Sequence, residues 1–182
     1  MPESAIARLR SGLGRLVTRR SPGQPPSTTG AAILPLPPVG FRAGGVHFRD
    51  DDAFLASAIE EARRVLGALG SNGPISLLDV GCGAGRLAYG LIAIEAPVAC
   101  YEGIDVMAPP IDWCSATISP AHSAYAFRTI DVYNERYNPK GSRAAVEFTL
   151  PFDGGAFDVA YAYSVFSHML SADVRAYLGE IA

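Results

Sequence analysis

Hydrophobic positions along the chain alternate between helical and strand-like spacing after residue 50. Apolar side chains recur every three to four positions from Ala53 to Leu69, and three aspartates precede them, which predicts an amphipathic helix. A continuous apolar run at Ile75–Val80 follows a Gly-Pro turn and predicts a buried strand. The same patterns predict strands at Val98–Ile104, Tyr125–Ile130 and Phe157–Tyr163, and helices at Arg86–Ile94, Ile111–Ile118 and Asp173–Ile181.

The order of these elements predicts an α/β fold. Alternating strands and helices form right-handed βαβ units, which place the strands parallel with helices on both faces of the sheet. We therefore expect a Rossmann-like, doubly wound parallel sheet. The alternation fails between residues 131 and 150, where Tyr133–Asn138 and Ala144–Thr149 flank a Pro-Lys-Gly turn. This segment is predicted to be a hairpin insertion at the carboxyl edge of the strands.

The first part of the chain differs in composition from the rest. Residues 1–49 hold seven arginines and one acidic residue, although the whole chain has a formal net charge of -3. Prolines are concentrated between residues 22 and 38, and proline removes backbone donors that helices and central strands need. We interpret residues 1–44 as a basic tail and proline-rich linker, poorly ordered, and residues 45–182 as the domain.

A short stretch of the basic tail has helical spacing of its apolar residues, which are Ile6, Leu9, Leu13, Leu16 and Val17. Three interpretations remain open for it. It is a disordered tail, a basic amphipathic helix that contacts an acidic membrane surface or a partner, or an organelle transit peptide.

Composition excludes several classes of protein. The chain has 182 residues, 49% of them hydrophobic, which is typical of one globular domain rather than a disordered chain. No apolar run approaches the ~18 residues of a membrane span, so we expect no stable membrane insertion. The net charge gives no reason to expect a nucleic-acid partner. Cys82, Cys100 and Cys114 lack metal-binding spacing, so we expect reduced thiols, no metal and a cytoplasmic location.

A glycine-rich turn lies between the first predicted strand and the helix after it. Its sequence is Asp-Val-Gly-Cys-Gly-Ala-Gly, from Asp79 to Gly85. Glycines let the chain turn sharply and let backbone N–H groups approach a ligand, while the helix N-terminus favours a negative group. A dinucleotide fingerprint would need Gly or Ala where Arg86 stands, and the Gly-Lys-Ser/Thr of a phosphate-binding loop is absent.

Several motifs together resemble those of class I S-adenosylmethionine-dependent methyltransferases, in the small-molecule branch. The glycine turn resembles the first motif of that family, and Gly103-Ile104-Asp105 resembles the second, an acid at the end of the second strand. The stretches Pro151–Asp153 and Phe157–Val159 resemble the approach to its fourth strand, and Ser164–His168 resembles the loop after that strand. The resemblance runs from about Leu77 to the end of the chain.

The resemblance implies S-adenosylmethionine as cofactor and a small molecule as methyl acceptor. The implied cofactor-binding residues are Asp79, Gly81, Cys82, Gly83, Gly85, Asp105, Val106, Asp131, Val132 and Ser164. The three glycines would cradle the methionine part, near whose amino group Asp79 would lie. Asp105 would accept hydrogen bonds from both ribose hydroxyls, and Asp131 and Val132 would meet the adenine. Ser164 would lie in the loop that runs beside the sulfonium. His168 would be the catalytic base if the acceptor needs one.

The chain departs from the family in the number of strands. The family sheet has seven strands, whereas this sequence predicts four, so we expect that the last strands are missing. An exposed sheet edge would then favour self-association. Two alternatives to methyl transfer remain: a non-catalytic cofactor-binding or scaffold fragment, and a nicotinamide-dependent oxidoreductase.

Overall fold

The computed structural model describes residues 34–70 and 73–181, so the predicted amphipathic helix of the basic tail lies outside the described residues. Four parallel strands form one sheet in the order β3-β2-β1-β4. In chain order the elements are α1 (Asp51–Leu69), β1 (Ile75–Val80), α2 (Arg86–Ala93), β2 (Val98–Asp105), α3 (Ala108–Thr117), β3 (Tyr125–Thr129), β4 (Val159–Ala162) and α4 (Ser171–Ile181).

The strand order confirms the predicted doubly wound sheet. From β1 the chain builds outward through β2 and β3, and it then crosses back so that β4 pairs with the other side of β1. The direction of winding therefore reverses between β1 and β4. In open α/β sheets the loops after the strands diverge at such a point and leave a crevice for a ligand.

Helix α1 begins and ends as its sequence predicts. The Asp50 carboxylate accepts a hydrogen bond from the Ala53 N–H at 2.9 Å, and Gly70 ends the helix in the left-handed region at φ 61°. Helix α1 packs closely on α2 at Gly90, where a Cβ would lie 1.9 Å from the carbonyl oxygen of Ala58. Only a glycine permits this approach of the two helix backbones.

Buried side chains form one hydrophobic core on each face of the sheet. Adjacent residues of a strand point to opposite faces, so Leu77 joins one core and Leu78 the other. The first core lies under α1, α2 and α3 and includes Phe54, Leu55, Tyr89, Leu91, Tyr101 and Ile118. The second is smaller and includes Val80, Ile104, Val132, Phe148 and Tyr177. These two cores hold the carboxyl ends of the strands rigidly in place.

The predicted hairpin insertion is wrong. Residues 131–150 contain two isolated bridges and a short 3-10 turn at Ala145–Glu147, instead of two strands. The side chain of Asn134 accepts hydrogen bonds from the N–H groups of Arg136 and Tyr137, both at 3.0 Å. Those amides would be ladder donors in a strand, and the asparagine turns the chain instead.

Packing begins earlier in the chain than the predicted domain boundary at residue 45. Leu34 is 3% exposed and belongs to the first core, and the Tyr89 hydroxyl donates to the Pro35 carbonyl at 2.5 Å. The buried guanidinium of Arg42 donates to the Pro37 carbonyl at 2.9 Å and pairs with Asp51 at 2.7 Å. The last eleven residues assigned to the linker are thus part of the packed domain.

None of the helices in the described ranges is long and apolar enough to cross a membrane.

Candidate functional site

A cavity of about 660 Å³ opens at the carboxyl ends of the strands. It is lined by the glycine turn after β1, the end of β2, the insertion at 131–150, the loop after β4 and the segment before α1. A volume of this size is typical of small-molecule and cofactor sites. The cavity therefore occupies the crevice that the reversal of winding predicts.

The three glycines of the turn serve different purposes. All lie in the left-handed region, with φ of 74° at Gly81, 53° at Gly83 and 74° at Gly85. A Cβ on Gly83 would meet no atom within 4 Å, so this residue faces open space in the cavity. A Cβ on Gly81 would lie 2.4 Å from Val165. Gly83 is thus the glycine that leaves room for a ligand.

Gly85 is not among the residues that line the cavity, and its contact with the cofactor stays a prediction. It is the residue before α2, and a Cβ there would lie 3.1 Å from the sulfur of Cys114. Its small size and positive φ let α2 begin close against α3. The role that the structure shows for Gly85 is therefore packing and helix initiation.

Asp105 ties the end of β2 to the glycine turn. Its carboxylate is buried at 7% exposure and accepts hydrogen bonds from the N–H groups of Gly83 at 2.8 Å and Met107 at 2.9 Å. Burial raises the pKa of Asp105, and these two backbone donors oppose that rise. Asp105 lines the cavity directly beside Gly83, and its contact with a ribose stays a prediction.

Asp79 lies at the end of β1 and is 2% exposed. It lines the cavity, and its carboxylate accepts a hydrogen bond from the hydroxyl of the fully buried Tyr101. Burial raises the pKa of Asp79 to about 7, and the Tyr101 hydroxyl acts in the opposite direction. A carboxyl that ionises near neutral pH at the cavity floor is a recognised mark of a functional site.

The apolar members of the predicted site also line the cavity. Val106 follows Asp105, Val132 is 2% exposed, and Cys82 is 7% exposed beside Gly83. Burial raises the pKa of the Cys82 thiol well above its usual range, so the sulfur stays protonated and contributes an apolar surface.

Asp131 is not among the residues that line the cavity, and its contact with adenine stays a prediction. Its exposed carboxylate accepts hydrogen bonds from the N–H of Ser142 at 2.9 Å and from the Ser142 hydroxyl. These donors lower the pKa of Asp131. Neighbouring residues of an extended chain point to opposite sides. Val132 therefore lines the cavity, and Asp131 accepts its hydrogen bonds from Ser142 on the other side of the chain.

The loop after β4 carries the remaining predicted residues. Ser164 lines the cavity with a φ of 59°, an uncommon conformation for a residue other than glycine, and its carbonyl accepts from the Ser167 hydroxyl at 3.1 Å. Backbone strain of this kind concentrates at functional sites. His168 ends the 3-10 turn Phe166–His168, and its two neighbours in the sequence, Ser167 and Met169, line the cavity.

The structure adds cavity residues that sequence reasoning missed. Arg86 lies between two rings, with its guanidinium carbon 5.2 Å from the ring centre of Phe48 and 4.4 Å from that of Tyr163. It also donates to the Ser57 carbonyl at 3.3 Å. Arg86 thus joins the segment before α1 to the loop after β4. The only signal for this in the sequence is that arginine stands in the helix's first position.

The segment before α1 and the insertion also reach the cavity. Phe41–Gly45 and Tyr133–Tyr137 contribute to its lining. Sequence reasoning placed the first of these segments in or beside a linker and the second in a hairpin. No group of three or more His, Cys, Asp or Glu side chains suited to a metal ion occurs within residues 34–70 and 73–181.

Comparison with known proteins identifies the family. Residues 78–182 match the family model described as a methyltransferase domain, which covers more than half of the chain. The fold is similar to that of a putative S-adenosylmethionine-dependent methyltransferase from Methanococcus maripaludis, with 12% identity and a TM-score of 0.51. That similarity covers 72% of this chain and 53% of the other, so this chain spans about half the length of that relative.

Two further solved structures show weaker similarity. Magnesium protoporphyrin IX methyltransferase from Synechocystis, with bound S-adenosylmethionine, is 16% identical over 78% of this chain and 60% of the other, with a TM-score of 0.48. Geranyl diphosphate C-methyltransferase from Streptomyces coelicolor is 18% identical over 71% and 44%, with a TM-score of 0.41.

The chain belongs to the methyltransferase domain family. The predictions of a class I S-adenosylmethionine-dependent methyltransferase and of its doubly wound fold are confirmed at the level of family and fold. S-adenosylmethionine is the cofactor that this class implies, as predicted. The nicotinamide-dependent oxidoreductase is a different class from the family that the chain matches.

Proposed function

We propose that this chain binds S-adenosylmethionine in the cavity at the carboxyl ends of the strands and presents it for methyl transfer to a small-molecule acceptor. The observation that supports this most directly is the contact between Asp105 and Gly83 at the cavity floor. It joins the two motifs that resemble the family, in a chain whose residues 78–182 match a methyltransferase domain.

The residues of the floor fit that cofactor. Gly83 has the left-handed backbone and the open space that a ligand in close contact with the turn requires. The first backbone N–H groups of α2 favour a carboxylate, and the buried carboxyl of Asp79 suits an ammonium group. Asp105 would hold the ribose, Val106 and Val132 the adenine, and Cys82 an apolar wall between them.

The protein's part in methyl transfer is mainly to position the acceptor. S-adenosylmethionine, when bound, supplies a methyl group that its sulfonium already activates. The chain therefore contributes by orienting the acceptor in line and by excluding water from the cavity. Arg86 supports this because its contacts with Phe48 and Tyr163 hold two walls of the cavity together.

His168 is the proposed base for an acceptor that must lose a proton. Its 3-10 turn lies just after the strained Ser164, which we place beside the sulfonium. Histidine titrates near neutral pH and suits a hydroxyl or a protonated amine as acceptor. An acceptor without such a proton would not need this residue.

Three further proposals concern the setting of the protein. The cavity volume suits a small molecule, and the net charge of -3 gives no reason to propose a nucleic-acid acceptor. The free thiols of Cys82, Cys100 and Cys114 are consistent with a cytoplasmic location. The outer edge of β4 supports self-association.

Calorimetric titration with S-adenosylhomocysteine tests the cofactor site. We expect Asp105→Ala to abolish binding, and Asp105→Asn to weaken it, because the single amide oxygen of asparagine replaces the two carboxylate oxygens that accept from Gly83 and Met107. Glu102→Gln is the matched control, because Glu102 lies on the same strand and pairs with Arg128 at 3.0 Å. Unchanged affinity in both Asp105 variants would show that the ribose assignment is wrong.

The alternative of a non-catalytic cofactor-binding or scaffold chain differs in turnover. Transfer of labelled methyl from S-adenosylmethionine to a metabolite extract separates the two functions. We expect a labelled product that disappears with Asp105→Ala. Tight cofactor binding without any labelled product would favour the scaffold.

A further inference from the structure

We propose that the methyl acceptor is an amphipathic small molecule, whose reactive end enters the cavity and whose apolar part lies on an exposed hydrophobic mouth. This inference rests on the proposed methyl transfer. The apolar mouth is defined here by Tyr133, Tyr163 and Leu170, three side chains that line the opening of the cavity.

Exposed hydrophobic side chains are concentrated at this opening. Seven large hydrophobic residues are exposed within the described ranges, and the three of the apolar mouth are 49%, 42% and 76% exposed, in chain order. Two more, Val46 at 76% and Val146 at 57%, come directly after residues that line the cavity. Single exposed hydrophobic residues are common on protein surfaces, but a group around one opening marks a binding surface.

The mouth is assembled from separate parts of the chain. Tyr133 belongs to the insertion, Tyr163 to the loop after β4, and Leu170 is the residue before α4. Because their elements are held by different contacts, local sequence composition does not explain why all three meet at the cavity.

Three of the charged groups that line the cavity have partners within the protein. Asp79 accepts from Tyr101, Asp105 accepts from two backbone amides, and Arg42 pairs with Asp51. The buried carboxyls of Asp79 and Asp105 suit a polar cofactor, and the exposed side chains of the apolar mouth suit an acceptor with a hydrophobic part.

Four other charged side chains line the cavity, namely Arg86, Glu135, Arg136 and Asp173. They carry both signs, and the Arg136 guanidinium lies over the ring of Tyr137 at 5.2 Å. They do not form a cluster of one sign that would select an anionic or a cationic acceptor. A charged acceptor held by Arg136 is the competing occupant that the experiment must distinguish.

The test uses three phenols with one shared reactive group, titrated into the chain saturated with S-adenosylhomocysteine. They are 4-methylphenol, 4-pentylphenol and 5-(4-hydroxyphenyl)pentanoate, which differ in tail length and tail charge. A fully buried methylene strengthens binding roughly fourfold. On a half-exposed mouth we expect 4-pentylphenol to bind at least about tenfold more tightly than 4-methylphenol, and the carboxylate-tipped phenol more weakly than 4-pentylphenol.

Substitutions in the apolar mouth test whether the gain in affinity from the pentyl tail arises there. Leu170→Asp and Tyr133→Asp should remove most of the gain from the pentyl tail and leave the affinity for S-adenosylhomocysteine unchanged. Leu178→Asp is the matched control, because Leu178 is 48% exposed but does not line the cavity. It should keep the gain.

Each outcome decides one question. Normal binding of S-adenosylhomocysteine with no gain from the pentyl tail, or with tighter binding of the carboxylate-tipped phenol, overturns the amphipathic acceptor alone. Loss of S-adenosylhomocysteine binding in the unmodified chain overturns the proposed function, and the acceptor with it. A flat phenol series together with a lower molecular mass of Leu170→Asp in solution would show that a second copy covers the mouth.

Discussion

The Asp79 carboxyl illustrates how one buried residue at the floor of a site can cost stability. It is 2% exposed, it faces the cavity, and its hydrogen-bond partner is a single tyrosine hydroxyl. Burial, together with the nearby charge of Asp105, raises its pKa to about 7 from an ordinary value of 3.8, while the Tyr101 hydroxyl and the charge of Arg86 act in the opposite direction. A bound ammonium group would further favour the ionised carboxylate.

We expect this carboxyl to make the free chain less stable as pH rises from 4 to 7. In that window the unfolded Asp79 has lost its proton while the folded one keeps it, so the free energy of unfolding falls, by up to about 4 kcal/mol. Asp79→Asn cannot ionise. Its melting temperature should therefore rise relative to that of the unmodified chain between pH 5 and pH 8, as thermal unfolding at both pH values would show.

Asp50→Asn is a control for this experiment, because Asp50 caps α1 at the surface and not in the cavity. An equal shift for both variants, or none for Asp79→Asn, would contradict the role assigned to burial of Asp79.

The helices and strands of the core were predictable, and the segments that form the cavity walls were not. Strand β1 has the predicted bounds, since a continuous apolar run between turn residues has few other interpretations. Residues 131–150 were misjudged because the side chain of Asn134 satisfies backbone amides that a strand would have left for a ladder. Hydrogen bonds between a side chain and nearby backbone amides are not visible in the spacing of hydrophobic residues.

The residues of the candidate site also differ in how well the sequence predicts them. Asp79, Gly83 and Asp105 were predicted because their motif spacing is specific, and all three line the cavity floor. The contact of Asp131 with adenine stays a prediction, because its carboxylate accepts hydrogen bonds from Ser142 and is not part of the cavity lining.

The contact of α1 with α2 depends on a glycine. We expect Gly90→Ala to destabilise the chain by about 1–3 kcal/mol or more, because the added Cβ would lie 1.9 Å from a backbone oxygen that cannot move independently. Gly67→Ala is the matched control, since Gly67 lies in α1 with no atom within 4 Å of a Cβ, and helix propensity favours alanine there by up to about 1 kcal/mol. Chemical denaturation measures both changes.

No loss of stability in Gly90→Ala would show that the two helices can separate without cost. The opposite signs expected for the two glycines make the comparison independent of the absolute stability of the chain.

At the scale of the whole molecule, β4 forms one outer edge of the sheet. Strand β4 pairs with β1 on one side, and within the described residues no strand pairs with its other side. Ala160, in the middle of β4, is exposed. An open edge of this kind can pair with another chain.

We expect the mass of the chain in sedimentation experiments to increase with concentration. Ala160→Lys should lower that association, because a lysine on an edge strand opposes pairing. Ala56→Lys adds the same charge on an exposed position of α1 and should leave association unchanged. A monomer at every concentration would contradict the role assigned to this edge.

The cavity draws its walls from almost the whole described chain, from Phe41 to Tyr177. A ligand there binds only when the segment before α1, the glycine turn, the insertion and α4 are all folded together. Because such a ligand binds the folded chain and not the unfolded one, a ligand concentration of 100 times the dissociation constant would add about 2.7 kcal/mol to the stability of the domain. The ligand is in that sense a structural component of the fold, and the abundance of its cofactor would help to determine how much of this protein is folded.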